Sequence, residues 1–207
     1  MATPVLAKDL ATIQNSLQDK YKSIQAWSAH FTQDTYVDSI DKIISKKGSI
    51  LVKKPGKLKL DYTDTPVRSY ISNGSKLWVY AQDKQEVQLF KKINKLVAGE
   101  ALQFLNGFAK LDSEFEVMDF DQSQIKDALI NNKSLDFLEL VPRDTESSLN
   151  RLILGIDPKS GSVIELTIYN ASGNKTHYVF FDINQAPQVT DEVFEFVVPK
   201  GVKTTKS

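Results

Sequence analysis

Few side chains in this sequence could serve as acids, bases or metal ligands. The chain of 207 residues contains two histidines and no cysteine, which excludes disulfides, thiolate zinc sites and cysteine nucleophiles. His30 and His177 both fall within strand-like patterns, and His30 lies on the polar face of its strand, where a solvated side chain is expected. Asp112, Glu114 and Glu116 alternate, so in a strand they would share one face. Such a face is more typical of solvated residues than of an acid/base pair.

Motifs for catalysis and nucleotide binding are also missing from the sequence. It contains no His-Glu-x-x-His, Gly-x-Ser-x-Gly or Walker-type motif, and its nine glycines form no phosphate-binding loop. The sequence therefore disfavours an enzyme, and it predicts neither a metal ion nor a cofactor.

Lysines form the densest charged run. Total charge favours neither nucleic acid nor anionic lipid, because Lys plus Arg and Asp plus Glu both number 26. Nucleic-acid binding would need aromatic residues on the same face as the lysines. Leu58, Leu60 and the aromatic Tyr62 instead lie in the opposite phase from Lys57 and Lys59. We therefore expect no nucleic-acid partner. The run is either a docking patch for an acidic protein or a soluble edge protected from aggregation. Its members are Lys46, Lys47, Lys53, Lys54, Lys57 and Lys59.

The elements that must position these residues begin with one helix. Apolar residues step by three or four from Leu6 to Ile24, which predicts an amphipathic helix packed on a sheet within residues 1–25. From Trp27 the period changes to two, and Asn73-Gly74 between two such runs predicts a tight hairpin. About eleven antiparallel strands are expected, at residues 27–37, 48–53, 57–62, 68–72, 76–80, 86–90, 135–141, 149–156, 162–169, 176–183 and 193–198.

Two short segments interrupt the strands. Residues 99–108 carry apolar side chains around most of a helix, which must therefore be buried on most sides, and residues 122–130 are expected to form another short helix. No repeat or linker divides the chain, so we expect one mainly β domain over residues 1–207. Its curved sheet could hold a hydrophobic ligand, or its apolar residues could simply fill a barrel core.

The location of the protein is open at this level. No apolar stretch approaches the roughly 20 residues of a transmembrane helix. The first seven residues lack the charged start and long apolar region of a secretory signal. The chain is therefore either cytoplasmic or the mature form of an exported protein.

Several motifs carry a family resemblance when taken together. Trp27 precedes Phe31-Thr32-Gln33 in the first strand, and residues 48–58 contain the sequence Gly-Ser-Ile-Leu-Val-Lys-Lys-Pro-Gly-Lys-Leu. Residues 71–80 read Ile-Ser-Asn-Gly-Ser-Lys-Leu-Trp-Val-Tyr, and the strand-like runs 138–142 and 194–202 each end near a proline. In this order they resemble the LolA family of periplasmic outer-membrane lipoprotein carriers, over most of the chain.

The resemblance implies a fold and a function. The fold is an open, incomplete antiparallel β-barrel with an N-terminal helix and short lid helices over a hydrophobic cavity. Such a carrier takes lipid-modified proteins from an inner-membrane lipoprotein-releasing ABC transporter. It shields their acyl chains and delivers them to an outer-membrane acceptor. The resemblance also implies a monomer in the periplasm, with its signal peptide removed.

The resemblance also assigns residues. Lys54 matches a position that is usually Arg, whose side chain reaches lid carbonyls and holds the empty form shut. Lys is a less directional clamp because it lacks the planar fork of Arg. Lys53 and Arg68 are further candidates for the latch or for partner docking, and the lid is assigned to Leu102, Phe104 and Leu105. The implied cavity wall comprises Trp27, Phe31, Leu58, Leu60, Tyr62 and Trp78.

Two other functions fit the same fold. One is an acceptor-type relative, which would usually be lipid-anchored through an N-terminal Cys that this chain lacks. The other is a periplasmic sensor or interaction domain that recognises lipid or misfolded outer-membrane protein. Such a domain would usually be joined to a further domain.

Overall fold

The N-terminal helix forms as its apolar spacing predicts. A computed structural model describes residues 9–91, 111–120 and 134–206, and within them helix α1 spans Leu10–Ser23. Asp9 begins the helix by accepting a hydrogen bond from the backbone N–H of Thr12 at 2.8 Å, which satisfies one of the free donors of the first turn. Leu17 and Tyr21 are buried on the face that packs against the sheet.

Twelve strands form one open sheet within the described residues. Its strand order is β12-β6-β5-β4-β3-β2-β1-β11-β10-β9-β8-β7. Neighbours pair antiparallel except β12, which runs parallel to β6. The two ends of the sheet, β12 and β7, are not paired with each other, so the prediction of a mainly β, open antiparallel architecture is confirmed. The strands are β1 Ala26–Val37, β2 Lys42–Lys53, β3 Lys57–Tyr62, β4 Arg68–Asn73, β5 Leu77–Ala81, β6 Glu86–Phe90, β7 Phe115–Asp119, β8 Asp136–Pro142, β9 Leu149–Ile156, β10 Val163–Asn170, β11 Lys175–Asn184 and β12 Lys203–Lys206.

The strand register gives the sheet two different faces. Trp27 of β1 lies opposite Val52 of β2, which lies opposite Leu58 of β3, and residues opposite each other point to the same side. This side, here called the inner face, packs against α1 in one continuous apolar core. The other side is called the outer face.

The chain after β11 crosses the outer face. A 3-10 turn at Asp191–Phe194 buries Phe194 completely, and the ring of Phe196 lies 5.4 Å from that of Tyr80. The chain then joins the sheet edge as β12. The strand expected at residues 193–198 is therefore wrong, because this segment inserts its phenylalanines into the outer face instead of pairing with a neighbouring strand.

Other differences from the sequence-based expectations concern element ends. Strand β2 begins at Lys42 rather than at residue 48, which makes the β1–β2 hairpin longer than expected. A short helix at Leu111–Glu114 precedes β7, so the acidic residues there do not share one strand face. The predicted helices at residues 99–108 and 122–130 lie outside the described residues.

Candidate functional site

The middle of the inner face brings together most of the predicted cavity residues. Phe31 is completely buried, and its ring meets those of Tyr62 and Tyr178 edge-on at 5.4 and 5.7 Å. Leu58 and Leu60 are buried in the same cluster. These side chains converge because each occupies an alternate position on β1 or β3, and the register aligns those positions.

Gly48 makes the position of Phe31 possible. It lies opposite Phe31 on β2, and a Cβ atom there would be 2.1 Å from the carbonyl oxygen of Asp61 and 2.8 Å from the Phe31 ring. The glycine therefore permits close approach of β3 and leaves room for the aromatic ring.

A pocket opens at one end of the inner face, beside the end of α1. Its enclosed part is about the size of one water molecule, and the rest is open to solvent, so a larger ligand must widen it. Trp27 forms one wall, with its ring edge-on to Phe180 at 6.0 Å. Apolar walls of this kind suit a hydrocarbon ligand. The lining residues are Tyr21, Ile24, Trp27, Val163, Phe180, Ile183 and Gln185.

Tyr21 supplies a polar group at this pocket. Its hydroxyl accepts a hydrogen bond from the backbone N–H of Val163 at 3.2 Å. Burial raises the pKa of Tyr21 to about 12, so the phenol is neutral at ordinary pH. The group therefore fixes α1 to β10 without placing a charge beside the apolar wall.

Lys54 contacts the end of α1. Its ammonium group donates a hydrogen bond to the backbone carbonyl of Tyr21, which belongs to the last helical turn, where carbonyls have no partner within the helix. A cation at this end is also favoured by the helix dipole. Burial lowers the pKa of Lys54. Lys54 thus binds a helix carbonyl, as a latch residue would, but this carbonyl belongs to α1 and not to the predicted lid.

The other lysines of the run have separate partners. Lys53 and Lys57 both bind the carboxylate of Asp191, at 2.7 and 2.5 Å, and their hydrogen bonds, together with their charges, lower the pKa of Asp191 to about 2. They fasten the C-terminal segment to the outer face. Lys59 lies 3.8 Å from Asp61. The lysine run therefore does not form a single docking patch, because four of its members bind groups within the protein.

Arg68 lies apart from these contacts. It begins β4, opposite Tyr62 and Ala81, and therefore lies on the inner face of the sheet. The structure does not bring it to the carbonyl that Lys54 binds.

Trp78 does not belong to the inner face. It pairs with Ile71 and Leu89, and it is buried with Ile71 and Val87 against the C-terminal segment. Leu77 is the residue of β5 that shares the phase of Leu58. This placement corrects the expectation that Trp78 lines the cavity.

The lid residues cannot be placed in the same way. Leu102, Phe104 and Leu105 lie outside the described residues, so their assignment stays a prediction.

A group of buried polar side chains on the outer face was not predicted from the sequence. His177 Nδ1 lies 2.9 Å from Thr167 Oγ1, and His177 Nε2 lies 4.0 Å from the carboxylate of Glu165. All three side chains are buried, and they lie on the opposite side of the sheet from the pocket. Glu165 and Thr167 alternate with apolar residues in their strand, but only the pairing of β10 with β11 places His177 beside them.

Within residues 9–91, 111–120 and 134–206, no group of three His, Asp or Glu side chains is placed to hold a metal ion. None of the helices in this part of the chain is long and apolar enough to cross a membrane.

The fold and the site together define a class of protein. An open antiparallel sheet with a helix on its apolar face, and a pocket with apolar walls at the end of that helix, is typical of a half-barrel that binds hydrophobic ligands. The family model described as "Outer membrane lipoprotein carrier protein LolA" matches residues 22–197. The chain belongs to this family, whose members are carriers rather than enzymes, and the predicted family and the prediction of a non-enzyme are thereby confirmed.

Individual relatives agree with the family match. An outer-membrane lipoprotein carrier protein of Methylobacillus flagellatus is 24% identical over 186 residues, 90% of this chain and 85% of the relative. One of Pseudomonas aeruginosa is 27% identical over 197 residues, 95% of this chain and 88% of the relative. A crystal structure of an uncharacterised conserved protein from Thermus thermophilus shares the fold at 7% identity. Its TM-score is 0.56, and the match covers 95% of this chain and 98% of that one.

Proposed function

We propose that this protein is a periplasmic carrier that binds the acyl chains of lipid-modified proteins on its inner face. The observation that carries the proposal is the pocket between the end of α1 and strands β1, β10 and β11, with Trp27 and Phe180 as its aromatic walls. The relatives named as outer-membrane lipoprotein carriers support the same function. An acyl chain gains about 0.8 kcal/mol for each CH₂ group removed from water, so an apolar wall is sufficient to hold it.

Release of the cargo depends on the same apolar contacts that bind it. A carrier must give up its cargo, and an apolar element that refills the site when the ligand leaves lowers the net affinity. In the proposal, the lid segment with Leu102, Phe104 and Leu105 performs this role. The end of α1 takes part as well, because Tyr21 and Ile24 line the pocket and Lys54 binds the Tyr21 carbonyl.

The direction of transport requires partners. In this proposal an inner-membrane lipoprotein-releasing ABC transporter loads the carrier and supplies the energy of extraction, and an outer-membrane acceptor receives the cargo. The sequence has no nucleotide-binding motif of its own, which is consistent with work done by the transporter. The carrier itself acts as a monomer.

A probe titration with matched tryptophan variants tests the proposal. A fluorescent fatty acid should bind saturably, and a diacylated lipopeptide should compete with it. Trp27→Ala should weaken probe binding roughly tenfold, because it removes a pocket wall. Trp78→Ala removes the same side chain from the outer face and should leave the affinity unchanged. Equal losses in both variants, or no saturable binding by the wild type, would contradict the proposed site.

A further inference from the structure

The pocket at the end of α1 has a buried side and an open side. Five of its lining residues are buried, whereas Ile183 and Gln185 are half-buried. Gln185 lies directly after β11, which ends at Asn184. An acyl chain that widens the pocket places its tail against the buried walls, so the group that ends the chain stays beside Gln185.

One hydrogen bond holds the side-chain amide of Gln185. Its Nε2 atom donates to the hydroxyl group of Ser162 at 2.9 Å, and Ser162 is itself buried just before β10. An amide nitrogen carries two hydrogens. Within residues 9–91, 111–120 and 134–206 the structure places no acceptor on the second one. Gln185 therefore keeps one N–H donor for a ligand, on an amide that Ser162 orients.

A cation lies behind the same serine. The ammonium group of Lys20 on α1 donates to the Ser162 hydroxyl at 3.3 Å and to the backbone carbonyl of Ser160. Burial lowers the pKa of Lys20, although the negative charge of Asp157 acts in the opposite direction. Lys20 does not line the pocket, and protein oxygens already occupy two of its three donors. The polar group that a ligand meets first is therefore the neutral amide of Gln185.

A neutral donor at the open side of an apolar pocket suits a carbonyl oxygen. A bare hydrocarbon would cover the amide and leave its N–H without an acceptor, which is unfavourable. An acyl chain linked through an ester or an amide ends in a carbonyl group, whose oxygen accepts this hydrogen. The contact requires no charge on the ligand.

We propose that Gln185 is a specificity-determining residue, which donates its second N–H to the carbonyl oxygen at the end of an ester- or amide-linked acyl chain. This inference rests on the proposed function, since it assumes that an acyl chain enters the pocket. It adds a preference for acyl chains over other hydrocarbons. Lipid-modified proteins and phospholipids both supply such a carbonyl, and the contact with Gln185 is the same for either source.

A titration with matched ligands tests the contact. The probes are pyrene-labelled chains of equal length that end in a methyl group, a methyl ester or a carboxylate. The quantity measured is the affinity for the ester divided by the affinity for the methyl-terminated chain. This ratio should be roughly three- to tenfold higher for the wild type than for Gln185→Leu, because the variant lacks one hydrogen bond to the ester.

Two further variants keep the comparison specific. Gln185→Glu retains the length of the side chain but replaces the donor with an acceptor, so at neutral pH it should lower the ratio as well. Gln82→Leu removes an exposed amide from the turn between β5 and β6, and its ratio should equal that of the wild type. Melting temperatures show whether each variant is folded.

The source of the carbonyl is tested on the same proteins. A diacylated lipopeptide and a lysophosphatidylglycerol compete separately with the pyrene ester for the wild type and for Gln185→Leu. A larger loss of affinity for the lipopeptide in the variant supports a lipid-modified protein as the source. A larger loss for the lysophospholipid supports the same contact with a phospholipid.

The outcomes separate the two proposals. Equal ester-to-methyl ratios in the wild type and in both Gln185 variants, with saturable binding retained, overturn the role of Gln185 alone. A strong preference of the wild type for the carboxylate that Lys20→Met removes also overturns it, because the cation would then select the ligand. If none of the three chains binds saturably to the wild type, the carrier function itself is contradicted.

Discussion

The ammonium group of Lys54 donates a hydrogen bond to the backbone carbonyl of Tyr21, 33 residues earlier in the chain. The same Tyr21 accepts a hydrogen bond from the backbone of Val163 on its hydroxyl group and lines the pocket. One residue thus joins α1 to the turn after β2 and to the start of β10. Any ligand that widens the pocket at this end must strain or break these contacts.

Removing the ammonium group should loosen this end of α1. Lys54→Met keeps the apolar stem and deletes the donor, so we expect the free energy of unfolding in urea to fall by about 1 kcal/mol. Fatty acid uptake in stopped-flow fluorescence should become faster, because the helix end moves more easily. Lys54→Arg should retain most of the wild-type stability, since it keeps a donor and a charge.

A second lysine variant controls for the loss of charge. Lys59 is on the outer face and lies 3.8 Å from Asp61, a partly exposed pair of the kind that contributes little to stability. Lys59→Met should change neither stability nor uptake. If Lys54→Met and Lys59→Met behave alike, the contact with Tyr21 does not hold the helix.

Acid should weaken the attachment of the C-terminal segment. Lys53 and Lys57 lower the pKa of Asp191 from 3.8 to about 2, so the folded state binds this proton less readily than the unfolded state does. The resulting stability is present above pH 3.8 and is lost as the pH falls toward 2. In urea titrations at several pH values, Asp191→Asn should be less stable than the wild type at pH 7. The difference should shrink across this acidic window, and a constant difference would mean that the ion pairs are not responsible.

Alternation of apolar and polar residues was sufficient to predict much of the inner face. Phe31 on β1, and Leu58 and Leu60 on β3, lie between polar residues, and Trp27 shares the phase of Phe31, so their shared side follows from the two-residue period of a strand. The structure places all four in one cluster. The N-terminal helix was predictable for the same reason, because its apolar stripe has only one helical face to occupy.

Alternation does not show which face a side chain occupies in a strand where every residue is apolar. Strand β5 reads Leu-Trp-Val-Tyr-Ala, and only its register with β4 shows that Leu77 and Trp78 point to opposite faces. Strand β12 reads Lys-Thr-Thr-Lys and is held by backbone pairing with β6, so no hydrophobic signal could predict it. The contact between His177 and Glu165 likewise depends on the pairing of β10 with β11, which spacing in the sequence cannot show.

Two buried tyrosines should ionise late. Burial raises the pKa values of Tyr21 and Tyr62 to about 12. A raised folded-state pKa stabilises the protein below the unfolded value of 10, and this contribution is lost as the pH rises toward 12. In an ultraviolet titration of phenolate absorbance, Tyr21→Phe should remove one late step and leave the early ones. A late absorbance change equal to that of the wild type would contradict the burial of Tyr21.

The packing of Phe31 against Gly48 should be among the most sensitive contacts of the inner face. Phe31→Ala should lower the free energy of unfolding by about 3–5 kcal/mol, the usual range for deleting a fully buried ring. Gly48→Ala should also destabilise the protein, because its Cβ would lie 2.1 Å from the Asp61 carbonyl oxygen and 2.8 Å from the Phe31 ring.

The control is Phe181→Ala on the outer face, where the ring is 46% exposed. It should cost much less than Phe31→Ala in the same urea titration. Combining Phe31→Ala with Gly48→Ala should cost less than the sum of the single changes, since the smaller residue 31 removes one of the two clashes. Strict additivity would show that the glycine serves only the approach of β3, and that it does not make room for the ring.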